Sequence, residues 1–443
     1  MIAGTARLRS LPMSLTAEQA GADLRAFVDA SPSPFHAVAE MARRLSAAGF
    51  APLDERDRWA LAPGDARYVV RDGGSVIAFR VGSAPLPDAG VRLVGTHTDS
   101  PTFKVRPRSD LERGSYRLVG VEPYGGLLAH TWLDRELTVA GRLAARRSDG
   151  SVGLHLVALP GGPLRLPSLA IHLDRSVRDG LTLDPQTQLV PAWSGRGDAG
   201  GSLLDHLAAV AGVDVGDVLG HDLVLADSQP SAATGADGSW VAAPRLDNLG
   251  SCHSATTALL GAAPAAHTQL LVANDHEEVG SGSMEGARGS FLEDVLARLV
   301  AATGATDPQD LPVTIARSHL VSADMAHATH PTQGERHEPS HAPVLGGGPV
   351  LKLNANQSYA TDARSGSWFA ARCADAGVPL QHFVTRADLP CGSTIGPLTA
   401  MRLGLSTVDV GSPMLAMHSC RELASSLDVP LMVRAMTACF EIG

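Results

Sequence analysis

Two adjacent glutamates, Glu277 and Glu278, stand in the stretch Asn274-Asp275-His276-Glu277-Glu278-Val279-Gly280-Ser281, between the apolar run Leu270-Leu271-Val272-Ala273 and a Gly/Ser turn. Neighbouring side chains on a strand point to opposite faces. Where a strand opens into a turn, both can reach one cleft. One carboxylate can then hold a metal ion while the other carries a proton, the division of labour that metal-assisted hydrolysis requires. Similar residues recur at other element ends. His97 and Asp99 follow a strand-like run in Thr96-His97-Thr98-Asp99-Ser100, and Asp247 precedes a helix-like run in Arg245-Leu246-Asp247-Asn248-Leu249. Asp324 follows His319–Ala323, and His418 lies in Ala416-Met417-His418-Ser419 after Val408-Asp409-Val410-Gly411. The spacing of His97 and Asp99 predicts that the Asp99 carboxylate bonds the second ring nitrogen of His97 and fixes its tautomer.

Singly, each residue has an ordinary role. An Asp ahead of a helix commonly caps it, and a lone loop Glu or His is commonly a solvated or hydrogen-bonded side chain. Together, His97, Asp247, Asp324, His418 and one glutamate of the pair supply two imidazoles and three carboxylates. That mixed set suits Zn²⁺, Mn²⁺ or Co²⁺ and is too rich in histidine for Ca²⁺. One bridging carboxylate with two further ligands per ion would serve a two-metal site, leaving the other glutamate as a base. Spacing does not show that the loops converge, nor which glutamate does which.

The elements that must position these residues are legible as alternating runs. Residues 16–30 and 35–49 read as amphipathic helices separated by Ser31-Pro32-Ser33-Pro34, with Pro34 placed to open the second. Strand-like runs at 91–97, 269–273, 319–323, 380–384 and 405–410 alternate with helix-like runs at 251–262, 286–303, 362–376, 394–403 and 428–440. Such alternation predicts an α/β fold, a mostly parallel sheet flanked by helices, with ligands beyond the carboxyl ends of its strands. Residues 103–235 differ: short strand-like runs (Tyr116–Val121, Leu137–Leu143, Leu154–Leu159) sit between Gly, Pro and charged clusters, and 205–218 reads as a helix. This predicts an inserted β-rich domain at 103–235, dividing the catalytic domain into 14–102 and 236–443. Gly346-Gly347-Gly348-Pro349 marks a loop without a nucleotide-binding fingerprint.

A chain of 443 residues exceeds the size at which single cores stop growing, which also favours two domains. Its formal net charge of -10 disfavours a nucleic-acid partner, and no basic patch or aromatic platform argues otherwise. Five scattered cysteines without a CxxC pair suggest free thiols in a reducing, cytoplasmic compartment and speak against a cysteine-based zinc site. Arg7 and Arg9 precede no apolar segment of the secretory kind, and no run of about 18 apolar residues predicts a membrane span. Residues 1–13 read as disordered, with Met13 a second candidate start.

Seven blocks in fixed order carry a resemblance. They are Ser31-Pro32-Ser33-Pro34-Phe35-His36, Gly95-Thr96-His97-Thr98-Asp99-Ser100-Pro101, Leu246-Asp247-Asn248-Leu249, Asp275–Ser281, Ser322-Ala323-Asp324-Met325-Ala326-His327, Asp388–Thr394 and Ala416–Glu422. In these blocks the chain resembles the aspartyl aminopeptidase family of dinuclear zinc metallopeptidases, nearly end to end. The resemblance implies two Zn²⁺ per subunit, one held by His97 and Asp324 and the other by Glu278 and His418, with Asp247 bridging and Glu277 as general base. It also implies removal of N-terminal Asp or Glu from peptides. Lys352, Tyr359, His327 and Asp324 would contact substrate, and His172 would reach a neighbouring subunit's site. The β-rich insertion would be a dimerisation domain, and the subunits would build a tetrahedral dodecamer. One departure is Thr332-Gln333-Gly334-Glu335-Arg336-His337 after His330-Pro331, where relatives commonly have Asn-Tyr and a Lys before the His.

Overall fold

A computed structural model describes residues 16–195 and 200–442; the N-terminal stretch before Thr16, with the reading made for it, lies outside the described residues. The centre is a nine-stranded sheet. Its strands, in spatial order, are Ala51–Leu53, Ala66–Arg71, Ser75–Arg80, Thr268–Asn274, Val91–His97, His319–Ala323, Ser406–Gly411, Val350–Leu353 and Gln381–Val384. The three strands Thr268–Asn274, Val91–His97 and His319–Ala323 are mutually parallel neighbours, and His319–Ala323 continues parallel to Ser406–Gly411. The sheet is mixed at its flanks, since Ser75–Arg80 runs antiparallel to both its neighbours and Val350–Leu353 antiparallel to Ser406–Gly411.

Alternation along each central strand feeds two separate cores. Val76, Ala78, Val94, Leu271 and Ala273 face one side, where the helices Ala17–Asp29, Pro34–Ala47, Leu246–Gly261, Ala363–Asp375 and Asp428–Glu441 pack. Ile77, Phe79, Leu93, Leu270 and Val272 face the other, covered chiefly by Phe291–Ala302. A strand buried on both faces reads as a continuous apolar run, as Leu270–Ala273 does.

Between Thr102 and Asp227 the chain builds a second sheet. Val218–Asp227 pairs antiparallel with both Thr102–Arg113 and Glu136–Arg146, which closes the sheet into a barrel. Phe103, Val121, Leu137, Val139, Leu143, Leu223 and Leu225 fill its core. The helix there is Leu203–Ala211, not 205–218: Ser202 and Asp205 form a capping box, and Gly212 in the left-handed region (φ 69°) ends the helix. Residues from Val218 are strand. The helix expected over 286–303 starts only at Phe291, because Gly286 and Gly289 fold tightly against the carbonyls of Ser281 and Ser283. A further helix, Asp310–Ala316, lies outside the predicted runs.

A third sheet consists of five short strands, Ala232–Thr234, Trp240–Ala243, Glu422–Ser425, Pro413–Leu415 and Ala326–His327. It bounds the loop that carries His418.

Candidate metal centre and substrate cavity

Val91–His97 lies between Thr268–Asn274 and His319–Ala323, so the carboxyl ends of three parallel strands deliver His97, the Glu277-Glu278 turn and Asp324 to one place. Asp247 and His418 come from elsewhere. Asp247 does not cap a regular helix; its backbone is extended (φ -80°, ψ 105°) at a kink in Leu246–Gly261, and the Asp247–Asn248 peptide is cis. His418 stands at φ 66°, a left-handed conformation unusual for a non-glycine residue. Its loop is held by buried Glu422, whose carboxylate accepts the backbone N–H groups of both His418 (2.7 Å) and Asp247 (3.0 Å).

The five predicted ligands converge. His97 Nε2 lies 3.5 Å from Asp247 Oδ1 and 3.4 Å from Asp324 Oδ1. His418 Nε2 lies 3.5 Å from Asp247 Oδ2 and 3.5 Å from Glu278 Oε2. The two oxygens of Asp247 thus face two different pairs of side chains. Both imidazoles turn Nε2 inward and Nδ1 towards a backbone carbonyl: that of Asp99 for His97 (3.1 Å) and of Gly126, next to the barrel, for His418 (3.0 Å). An Nδ1–H donated outward leaves the Nε2 lone pair for an ion.

Asp99 differs in detail from its predicted role. Its carbonyl oxygen, not its carboxylate, is the closer partner of His97; the carboxylate stands 3.4 Å from Nδ1. That carboxylate accepts instead the backbone N–H groups of Glu277 (3.0 Å) and Glu278 (3.1 Å) and the hydroxyl of Tyr124 (2.7 Å). Asp99 therefore fixes the turn that presents both glutamates. Tyr124 and Glu422 were not singled out from sequence. Glu422 closes the block that carries His418, whereas nothing local marks Tyr124.

Electrostatics follow from packing acids together. Burial pushes Glu277 up to about 7, reinforced by Asp324, Asp99 and Asp247, against the pull of His97. Burial, then Asp247, raises Glu278 well above the usual carboxylate range. Burial alone would lower His97 and His418, but the neighbouring carboxylates, Asp247 foremost, outweigh it, raising His97 well above its ordinary value and His418 to about 9. Asp247, despite burial, is held low by the two histidines.

A cavity of about 440 Å³ opens over these residues. Asp247, Glu277, Glu278 and Asp324 line it, with His327, Lys352, Tyr359 and Phe383 forming one end. Buried Lys352 lies with Nζ 3.4 Å from Asp324 Oδ2 and 5.3 Å from the Tyr359 ring centroid. His327 meets Phe383 edge-on at 5.8 Å. His172 is not brought to this cavity; it lies in an exposed turn near the barrel.

The family described as aminopeptidase I zinc metalloprotease (M18) matches residues 27–440. The chain belongs to this family. The probable M18 family aminopeptidase 2 of Mycobacterium leprae is 47% identical over 421 residues, covering 95% of this chain and 98% of that protein. Among solved structures, Ape4 in complex with Nbr1 superposes with a TM-score of 0.93 at 37% identity, covering 98% of this chain and 87% of that one. The mApe1 dodecamer of S. cerevisiae superposes with a TM-score of 0.83 at 29% identity, covering 95% and 96%. This M18 protein is a zinc metallo-aminopeptidase of mixed α/β fold.

The donors of this M18 protein fit zinc, which takes imidazole nitrogens and carboxylate oxygens. Asp247 Oδ1 and Glu278 Oε1 are buried with no hydrogen-bond partner among the described residues. Leaving such oxygens unpaired is costly, and metal ions held against them would remove that cost. His97, Asp247 and Glu278 each offer a ligand atom within 4.8 Å of the others.

Proposed function

We propose that the protein removes N-terminal Asp, and also Glu, from peptides at a dinuclear zinc site, with Mn²⁺ or Co²⁺ as substitutes. The observation carrying this reading is the split environment of Asp247, one oxygen towards His97 and Asp324, the other towards His418 and Glu278. Asp247 would then serve both ions, His97 with Asp324 would hold one, and Glu278 with His418 would hold the other. Bound zinc would polarise the scissile carbonyl and acidify water.

The side chains supply the rest. Glu277, oriented by the Asp99 carboxylate through its backbone N–H, takes a proton from the attacking water and returns it to the leaving amine. Lys352, in a pocket with Tyr359, His327 and Phe383, offers a desolvated cation to the substrate's acidic side chain. The free α-amine is left to the acidic groups beside the ions.

Assembly belongs to the same proposal: a tetrahedral dodecamer in which the insertion at 103–235 joins dimers and His172 completes a neighbour's site. Leu169, Ile171 and Leu173 flank or neighbour His172 and are 63%, 38% and 76% exposed, and Val152, Leu154 and Leu156 leave 53%, 52% and 47% exposed on the barrel's outer strand. Apolar surface of this kind on an edge strand marks a contact site. All five cysteines are free, which accords with a cytoplasmic setting. No helix among the described residues is long and apolar enough to cross a membrane. The test is kcat/KM on Asp-, Glu-, Leu- and Ala-anilides. The proposal requires the two acidic substrates to lead, and a preference for Leu would refute it.

A further inference from the structure

A second cation lines the substrate cavity and has no assigned task. Arg288 reaches it from the turn after Glu277-Glu278, its side chain exposed. Among the described residues, no carboxylate pairs with its guanidinium and no hydrogen bond engages it. Its backbone, by contrast, is pinned. The N–H of Arg288 donates to the Ser281 carbonyl at 3.3 Å, and its own carbonyl accepts from Arg402 Nη1 at 3.0 Å. Arg402 is in turn paired with Glu293 at 2.7 Å. Gly286 and Gly289 leave no room for side chains in this turn, since an added Cβ would lie 2.4 Å and 2.8 Å from carbonyl oxygens.

The position decides what this cation can meet. The other cavity cation, Lys352, stands beside Tyr359 and Phe383 and is already 3.4 Å from Asp324. On the proposed function, that end receives the side chain of the N-terminal residue. The leaving amine must lie beside Glu277, which returns its proton. Arg288 belongs to the segment of Glu277, tied to it by Gly280 N–H donating to the Glu277 carbonyl (2.9 Å) and by the Ser281–Arg288 bond. The cavity otherwise presents four carboxylates, Asp247, Glu277, Glu278 and Asp324. An unpaired guanidinium at its rim is the group that draws a carboxylate in and grips it with two parallel N–H donors.

We infer that Arg288 binds a carboxylate on the leaving side of the scissile bond: the C-terminal carboxylate of a dipeptide, or an acidic side chain of the second residue. The protein then favours short or consecutively acidic peptides. This rests on the aminopeptidase reading but not on the choice of N-terminal residue.

The experiment measures kcat and KM on matched pairs sharing one N-terminal residue. Asp-Ala is compared with Asp-Ala-amide, and Asp-Asp-amide with Asp-Asn-amide; Leu-Ala and Leu-Ala-amide repeat the first pair. A charge-assisted bond at a solvent-facing rim corresponds to about a tenfold preference for the carboxylate member. The preference should lie in KM, because the contact exists before and during the reaction, and should shrink as salt is raised. Arg288→Gln should bring the ratio close to one, and Arg288→Lys should restore part of it. The first pair isolates the terminal carboxylate and the second the side chain. A ratio near one in the wild type for both pairs, or an unchanged ratio in Arg288→Gln, overturns the inference. Absence of any preference for Asp over Leu would instead count against the acidic N-terminal specificity, since each ratio holds that residue fixed.

Discussion

Replacing Lys352 by Met should collapse discrimination between acidic and neutral N-terminal residues. Lys352 is buried on Val350–Leu353, and Met keeps most of its volume, so packing changes little. What is lost is one desolvated positive charge. Opposite unit charges about 4 Å apart attract by about 4 kcal/mol at an effective dielectric of about 20. Desolvation of the substrate carboxylate offsets part of this, while a carboxylate left without its cation in a buried pocket carries a cost of about 2–5 kcal/mol. A central value of about 3 kcal/mol corresponds to about a hundredfold fall in kcat/KM for Asp-anilide. Leu-anilide brings no charge to that pocket. Its kcat/KM should reflect only the loosened contact to Asp324, 3.4 Å away. The quantity to measure is the Asp/Leu ratio of kcat/KM, in which general damage to the metal centre cancels. An Asp/Leu ratio within about threefold of wild type, well short of the effect expected for a buried charge pair, would refute Lys352 as the specificity cation.

Glu277→Gln preserves the shape of the turn and should retain zinc by metal analysis while kcat falls about 10²–10⁴-fold; near-normal turnover would exclude Glu277 as the base. Zinc affinity should rise from pH 6 to 8, because the metal-free site holds protons on Glu278, His97 and His418 that must leave. Titration calorimetry in buffers of unequal ionisation enthalpy should show proton release at pH 7, and a pH-independent affinity would contradict the charge arrangement. Glu285 is a stability case. Burial, aided by Asp72, pushes it up to about 7 from 4.5, so the fold favours its neutral form. Its stabilising contribution is full below about 4.5 and is lost as pH climbs towards 7. Glu285→Gln should therefore match wild type near pH 4.5 and be more stable above pH 7, by up to about 3 kcal/mol in urea unfolding.

Much of the fold was legible because the central strands are buried on both faces. Leu270–Ala273 and Val91–Val94 read as strands, and each run gives way to polar residues at its carboxyl end. Convergence was not legible in the residues themselves. It arises because Val91–His97 lies between Thr268–Asn274 and His319–Ala323, a matter of strand order. Asp247 and His418 depend on an irregular kink and a left-handed residue, neither of which has a periodic signal. The sheet through Ala326–His327 and Pro413–Leu415 escaped notice because its strands are two to four residues long. The role of Asp99 shifted for a simple reason: spacing set it beside His97, but its carboxylate found three donors on the neighbouring turn and hairpin.

An anomalous-difference map at the zinc edge, from crystals of the zinc-loaded protein, shows whether Asp247 bridges two zinc ions. Two peaks are expected about 3.5–4 Å apart, one against His97 and Asp324, the other against Glu278 and His418, with an oxygen of Asp247 on each. A single peak, or two peaks of which Asp247 touches only one, would contradict the bridge.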